Sequence, residues 1–143
     1  MVYGLLNPLP IAYHHPVQNK QERPEPMIPK TAPVTHAFDA DILREYDIRG
    51  LVGKTLREAD CYFVGRAFGT MLRRAGGKTV ALGYDGRQSS VSFSNEVIRG
   101  LTDCGLTVEN IGLGPTPMVY FAMKSRGLDA AVVVTGSHSP VAF

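Results

Sequence analysis

Cysteine is scarce in this chain. Cys61 and Cys104 are the two copies in 143 residues, and their spacing fits neither a zinc-ligand pattern nor a disulfide framework. Free thiols of a cytosolic protein are therefore expected. Charge of one sign is scarce too: the net charge of +2 is too small to argue for a nucleic-acid or anionic-membrane partner. No apolar run approaches the roughly 18 residues of a membrane span. The opening Met1-Val2-Tyr3-Gly4-Leu5-Leu6-Asn7-Pro8 lacks the basic segment and long apolar stretch of a secretory signal. Cytoplasm is thus the expected location. No repeat of solenoid period occurs, and no Gly-x-Ser-x-Gly elbow supports a hydrolase triad.

What is present divides near residue 38. Seven of the ten prolines fall between Pro8 and Pro33, where they remove backbone donors and forbid helix interiors. Residues 1–37 also lack periodicity, so an extended, mostly disordered arm is predicted. His14, His15 and His36 read as exposed linker histidines rather than a metal tract. The whole chain is 44% hydrophobic, enough apolar side chain for one modest core, and residues 38–143 are expected to form a single domain.

In this second part the pattern alternates. Ile48 to Val52 suggests a short strand. Thr55 and Glu58 match a capping box, and Phe63, Val64, Ala67, Phe68, Met71 and Leu72 mark one helix face that ends at Gly76-Gly77. Tyr62, Phe63 and Phe68 are expected in the core, and Arg73-Arg74 as cations favoured at a helix C-terminus. Thr79 to Gly83 reads as a buried strand. Serines from Ser89 offer N-caps to a helix with Phe93, Val97, Ile98 and Leu101 inward, closed by Gly105. Thr107 to Ile111 is the next strand. Thr116 is the expected N-cap of a third helix, with Pro117 first inside it and Gly127 at its end. Ala130 to Val134 is the last strand. The order predicts an α/β fold: a four-stranded, mainly parallel or mixed sheet with helices on both faces.

Ligands of open α/β sheets gather beyond the carboxyl ends of the strands. Three polar clusters fall there: Asp85-Gly86-Arg87, Pro115-Thr116-Pro117 and Thr135-Gly136-Ser137-His138. Arg49 needs only a short turn to join them. Arginines with a serine and a histidine suit an anionic substrate, because guanidinium groups bind phosphate bidentately. Ser137 beside His138 reads as an activated nucleophile, as a phosphoryl carrier with a proton-handling partner, or as a plain loop; spacing leaves these open. Asp85 with Arg87 reads first as a structural pair.

Arg44-Glu45-Tyr46-Asp47-Ile48-Arg49-Gly50 resembles the opening motif of the α-D-phosphohexomutases, the phosphomannomutase/phosphoglucomutase group. So do Gly53-Lys54-Thr55-Leu56, Gly83-Tyr84-Asp85-Gly86-Arg87, Gly114-Pro115-Thr116-Pro117 and Thr135-Gly136-Ser137-His138, in that order. The resemblance implies the first domain of such an enzyme, with Ser137 passing a phosphoryl group to a hexose phosphate through a hexose bisphosphate. It implies proton transfer and phosphate steering by His138 and Arg49. Tyr46, Asp85, Arg87 and Thr116 would contact substrate or brace loops, and Mg²⁺ would be held through the Ser137 phosphate together with carboxylates. Three departures stand out: Tyr84 replaces an arginine, Ser139 replaces an asparagine, and the loop runs on as Val141-Ala142-Phe143 where the family has Tyr-Asn-Gly and a lysine. A larger gap is that the metal-binding Asp-Gly-Asp-Gly-Asp run does not occur. Asp39-Ala40-Asp41 reads as a solvated turn. The chain alone is therefore expected to show no mutase turnover and to self-associate through uncovered apolar surface; a non-catalytic remnant or a sugar-phosphate-binding module is the alternative.

Overall fold

Apolar residues with branched β-carbons fill the centre of the molecule. In the structure, a computed structural model that describes residues 2–6 and 35–140, strand β2 (Thr79–Tyr84) pairs in parallel with β3 (Thr107–Leu113) on one side and β4 (Ala130–Val134) on the other. Strand β1 (Val2–Leu6) runs antiparallel along the outer edge of β4, giving the order β1-β4-β2-β3. All five residues of β4 are buried, as befits a strand covered on both faces. Alternation then sorts the side chains. Val80, Leu82, Ala130, Val132 and Val134 face helix α2 (Gln88–Thr102) through Phe93, Val97 and Leu101. Ala81, Ala131 and Val133 face helix α3 (Thr116–Ser125) through Val119 and Met123. The α/β class, the parallel strands β2–β4 and helices on both faces agree with expectation.

Three local expectations fail. Ile48–Val52 is not a strand; it makes only isolated bridges, Leu43 with Ile48 and Val52 with Leu56. The Leu51 carbonyl accepts the N–H groups of Lys54, Thr55 and Leu56, which curls the segment away from any sheet. Thr55 consequently does not cap helix α1 (Glu58–Arg74): its hydroxyl accepts Leu51 N–H at 2.9 Å. Arg57 is the N-cap, and Asp60 reaches back to its N–H at 2.7 Å. Pro115, rather than Thr116, caps α3; Thr116 and Pro117 occupy the first turn, where an N–H is dispensable. In addition, Val2–Leu6 form strand β1 at the start of the segment expected to be extended and mostly disordered. These residues precede the first proline, and they cover an edge of β4 that would otherwise expose unpaired backbone groups. Residues 7–34, with His14 and His15, lie outside the described residues.

His36 is also not an exposed linker residue. Its ring stacks on Phe63 at 4.3 Å between centroids and meets Phe38 edge-on. Its Nε2 lies 2.7 Å from Asp60 Oδ1. Asp60 is buried, so one carboxylate both caps α1 and anchors the segment leading into the domain. Losing it leaves two groups unpaired, and Asp60→Ala should cost about 2–3 kcal/mol. Urea unfolding will read this directly; a loss within error of zero would mean that water replaces both bonds freely.

The buried face of α1 is rotated from the predicted one. Cys61, Val64, Gly65, Gly69 and Leu72 are buried, whereas Met71 is exposed. The reason is the seam with α2. A side chain at Gly65 would strike the Val97 carbonyl, and one at Gly100 would strike the backbone of Tyr62 and Arg66. Two glycines thus set the approach of the helices, and a reading of large apolar residues does not see them. Both cysteines are free thiols; burial pushes Cys61 up to about 12.

Candidate functional site

Strands β2 and β4 are parallel neighbours, so the residues that follow them meet at one rim. The Asp85 N–H continues the ladder to the Val134 carbonyl at 3.0 Å. From there its carboxylate gathers the loop after β4. Oδ1 accepts Ser90 Oγ at 2.5 Å and Arg87 N–H at 3.2 Å. Oδ2 accepts Gly136 N–H at 2.7 Å and Thr135 Oγ1 at 3.1 Å, and lies 3.5 Å from Arg87 Nε. Burial pushes the Asp85 carboxyl up, but the bonds from Ser90, Gly136, Arg87 and Thr135 together outweigh it and hold it below the ordinary 3.8.

Arg87 closes the loop from the other side. Its two terminal nitrogens donate to the Ser139 carbonyl at 2.6 Å and the Pro140 carbonyl at 2.8 Å. The guanidinium lies where a Cβ on Gly136 would stand, so this position tolerates no side chain without moving the clamp. Between these anchors the Ser139 N–H bonds the Gly136 carbonyl at 2.9 Å, and the Ser137 N–H bonds Thr135 Oγ1 at 3.0 Å.

Ser137 sits at the tip, exposed, with φ of 48°. Among the described residues it is the one non-glycine with positive φ. Such a conformation costs roughly 1–2 kcal/mol for an L-residue and persists where its surroundings over-determine it. The hydroxyl is turned to His138, with Oγ 3.1 Å from Nδ1.

Asp85, Arg87, Ser137 and His138 are thus brought into one cluster. The other expected residues stand on adjoining segments. Tyr46 is 85% exposed. Arg49 pairs with Asp47 at 3.0 Å. Thr116 opens α3 just past Gly114, whose N–H bonds the Tyr84 carbonyl at 3.0 Å. Three residues of the cluster went unassigned in the sequence reading: Ser90 and Thr135, which bind Asp85, and Ser139, whose carbonyl binds Arg87. A serine five residues after Asp85, on the first turn of a helix, was the available signal for the first. Among the described residues no group of three or more His, Cys, Asp or Glu side chains is placed to hold a metal ion.

The family model for phosphoglucomutase/phosphomannomutase, alpha/beta/alpha domain I, matches residues 40–142. The chain belongs to this family. The match takes in α1 through β4 and the Ser137 loop, and leaves β1 outside. The phosphoglucomutase of Neisseria gonorrhoeae is 46% identical over 100 residues, which are 70% of this chain and 22% of that protein. A phosphomannomutase/phosphoglucomutase of Pseudomonas aeruginosa is 44% identical over 101 residues, 71% of this chain and 22% of that one. In three dimensions, a phosphoglucomutase/phosphomannomutase family protein of Burkholderia thailandensis superposes with a TM-score of 0.70 at 38% identity, over 74% of this chain and 25% of that one. The chain spans between a fifth and a quarter of the length of these phosphoglucomutase/phosphomannomutase relatives. No helix of the described residues is long and apolar enough to cross a membrane.

Proposed function

We propose that Ser137 is a phosphoryl carrier in the interconversion of hexose phosphates. The observation that carries this reading is the exposed Ser137 hydroxyl, held in a left-handed conformation by the Asp85–Arg87 clamp on the carboxyl rim of the sheet. In the forward step the bond from Ser137 Oγ to phosphorus breaks while a free hydroxyl of the hexose phosphate bonds to that phosphorus. The products are a hexose bisphosphate and free Ser137. The other phosphate of the bisphosphate then returns to Ser137 Oγ, and the isomeric monophosphate leaves. The proton lost by the attacking hydroxyl ends on the departing Ser137 Oγ by way of His138, 3.1 Å from it, and the return step runs this transfer in reverse. Arg49 steers phosphate, and Tyr46 and Thr116 contact substrate or support the loops. Transfer of this kind rests on positioning and charge neutralisation.

The described residues do not fit a resident Mg²⁺. A hard cation of this type needs several oxygen ligands, and the Asp85 carboxylate is already filled by its own donors. The isolated chain is proposed to hold a phosphoryl group without completing turnover. The lack, among the described residues, of a carboxylate cluster placed to hold a cation favours a second reading, a non-catalytic remnant or a sugar-phosphate-binding module. A cytoplasmic location belongs to the same proposal. Exposed Phe121 and Leu113 support the accompanying expectation of self-association.

Intact-mass analysis after incubation with a hexose bisphosphate tests the carrier role. One added phosphoryl group is expected, absent in Ser137→Ala and retained in Ser139→Ala; a group that survives Ser137→Ala ends the proposal. Turnover of glucose 1-phosphate or mannose 1-phosphate above background would overturn the predicted inactivity.

A further inference from the structure

A second charged feature lies at the opposite end of the sheet. α1 runs antiparallel to β2, so its C-terminus and the turn after α2 stand where the strands begin, away from the Ser137 rim. There Arg66, Thr70, Arg73, Arg74 and Cys104 line an open hollow of about 400 Å³. Positions 66, 70, 73 and 74 form one stripe of α1, by the spacing that stacks residues on a helix face. No carboxylate lines the hollow.

The helix dipole accounts for only part of this. Cations in a last turn gain roughly 0.3–1 kcal/mol, and the effect dies away within that turn. It covers Arg73 and Arg74; it does not reach Arg66, two turns earlier. Arg66 is also held in place, donating to Tyr62 Oη at 3.2 Å. Tyr62 in turn donates to Asp103 at 2.8 Å and lies under Arg99, which pairs with Glu96. The nearby acids are therefore already engaged with Tyr62 and Arg99. Thr70 and the half-exposed Cys104 complete the wall: the Cys104 thiol donates to the Arg66 carbonyl at 3.4 Å, and Thr70 Oγ1 is 3.7 Å from its sulfur. Three arginines line one hollow with no acid on its wall, so an anion entering it meets guanidinium donors and no competing carboxylate.

We propose that this hollow is an anion site, separate from the Ser137 rim, for a compact multiply charged ligand of the phosphate or phosphate-ester class. Arg66, Arg73 and Arg74 supply the charge-assisted hydrogen bonds, and Thr70 Oγ1 supplies a polar wall beside them.

Cys104 gives a local readout. Cys61 is fully buried and its thiol is pushed up to about 12, so alkylation by neutral iodoacetamide near neutral pH reports Cys104. Inorganic pyrophosphate is the probe. At ten times its dissociation constant it should slow alkylation about elevenfold, if the occupied hollow shields the thiol. Added sodium chloride should weaken the protection, because exposed charges are screened. Ser137→Ala should keep the protection, which separates this site from the rim. The triple variant Arg66→Gln/Arg73→Gln/Arg74→Gln should lose it. Should the triple variant fail to fold, Arg73→Gln and Arg74→Gln singly should each weaken binding about tenfold. Undiminished protection in the arginine variants, or none in the native chain at millimolar pyrophosphate, overturns the proposal.

Discussion

Replacing Gly100 by alanine is expected to lower stability by about 3 kcal/mol, a large part of what holds a single domain folded. The added methyl would overlap the Tyr62 carbonyl, lie 2.9 Å from the Arg66 nitrogen and lie 3.1 Å from the Gly65 carbonyl carbon. All three are backbone atoms of α1, so no rotamer change relieves them. Alanine is the better helix former by about 1 kcal/mol, but that gain is smaller than the cost of moving α1 off α2. The displacement would open the seam where Cys61, Val64 and Leu72 meet Val97 and Leu101. Gly86→Ala is the control: its nearest neighbour would be Leu113 Cδ1 at an ordinary 3.9 Å, so a change within about 0.5 kcal/mol is expected. Urea midpoints of the two variants decide the matter. A Gly100→Ala protein as stable as the native one would mean that α1 and α2 can slide apart at little cost.

The same seam explains what could and could not be read from the sequence. Runs such as Ala130–Val134 and Thr79–Gly83 announce buried strands because branched apolar residues fill both faces, and they were placed to within a residue or two. The polar triplets after those strands were legible for the same reason: a strand end fixes where the next residues must lie. The face of α1 was not legible, since glycines at the crossing carry no periodic hydrophobic signal while exposed Met71 does. Ile48–Val52 misled through its apolar content; what bends it is the Leu51 carbonyl serving three N–H groups, a tertiary arrangement that no alternation encodes. The pairing of His36 with Asp60, 24 residues apart, likewise depends on where the fold brings two segments. At the site, Asp85 accepts the Gly136 N–H, and Arg87 donates to the Ser139 and Pro140 carbonyls. The identity of the braced atoms, mostly backbone, leaves no mark in side-chain sequence.

That brace leads to the second large effect. Asp85→Asn keeps the shape of the side chain but replaces a charged acceptor by an amide, half of which is a donor facing other donors. Ser90 Oγ, Arg87 N–H, Thr135 Oγ1 and Gly136 N–H all converge on this carboxylate. Hydrogen bonds to a charged group contribute about 1.5–3 kcal/mol, and the half-exposed site returns some of them to water, so a net loss of about 2–3 kcal/mol is expected. The pH dependence has a definite sign. Because the folded state holds the Asp85 carboxyl below its ordinary 3.8, its contribution is fully present above that value. It is lost as pH falls through the lower folded value. Asp129 is shifted the same way, chiefly by the Lys78 N–H and the Thr79 hydroxyl, so Asp85→Asn should flatten part of the acid slope and leave the Asp129 part. Urea midpoints taken from about pH 6 to about pH 2 will show this. Hydrogen exchange locates the damage: the Gly136 N–H, 2.7 Å from Asp85 in the native chain, should exchange about a hundredfold faster in the variant. With the loop released, Ser137 no longer needs its left-handed backbone, and phosphoryl uptake from a hexose bisphosphate should fall with the Gly136 protection. Retained protection at Gly136 would show that Arg87, through Ser139 and Pro140, holds the serine loop without the carboxylate.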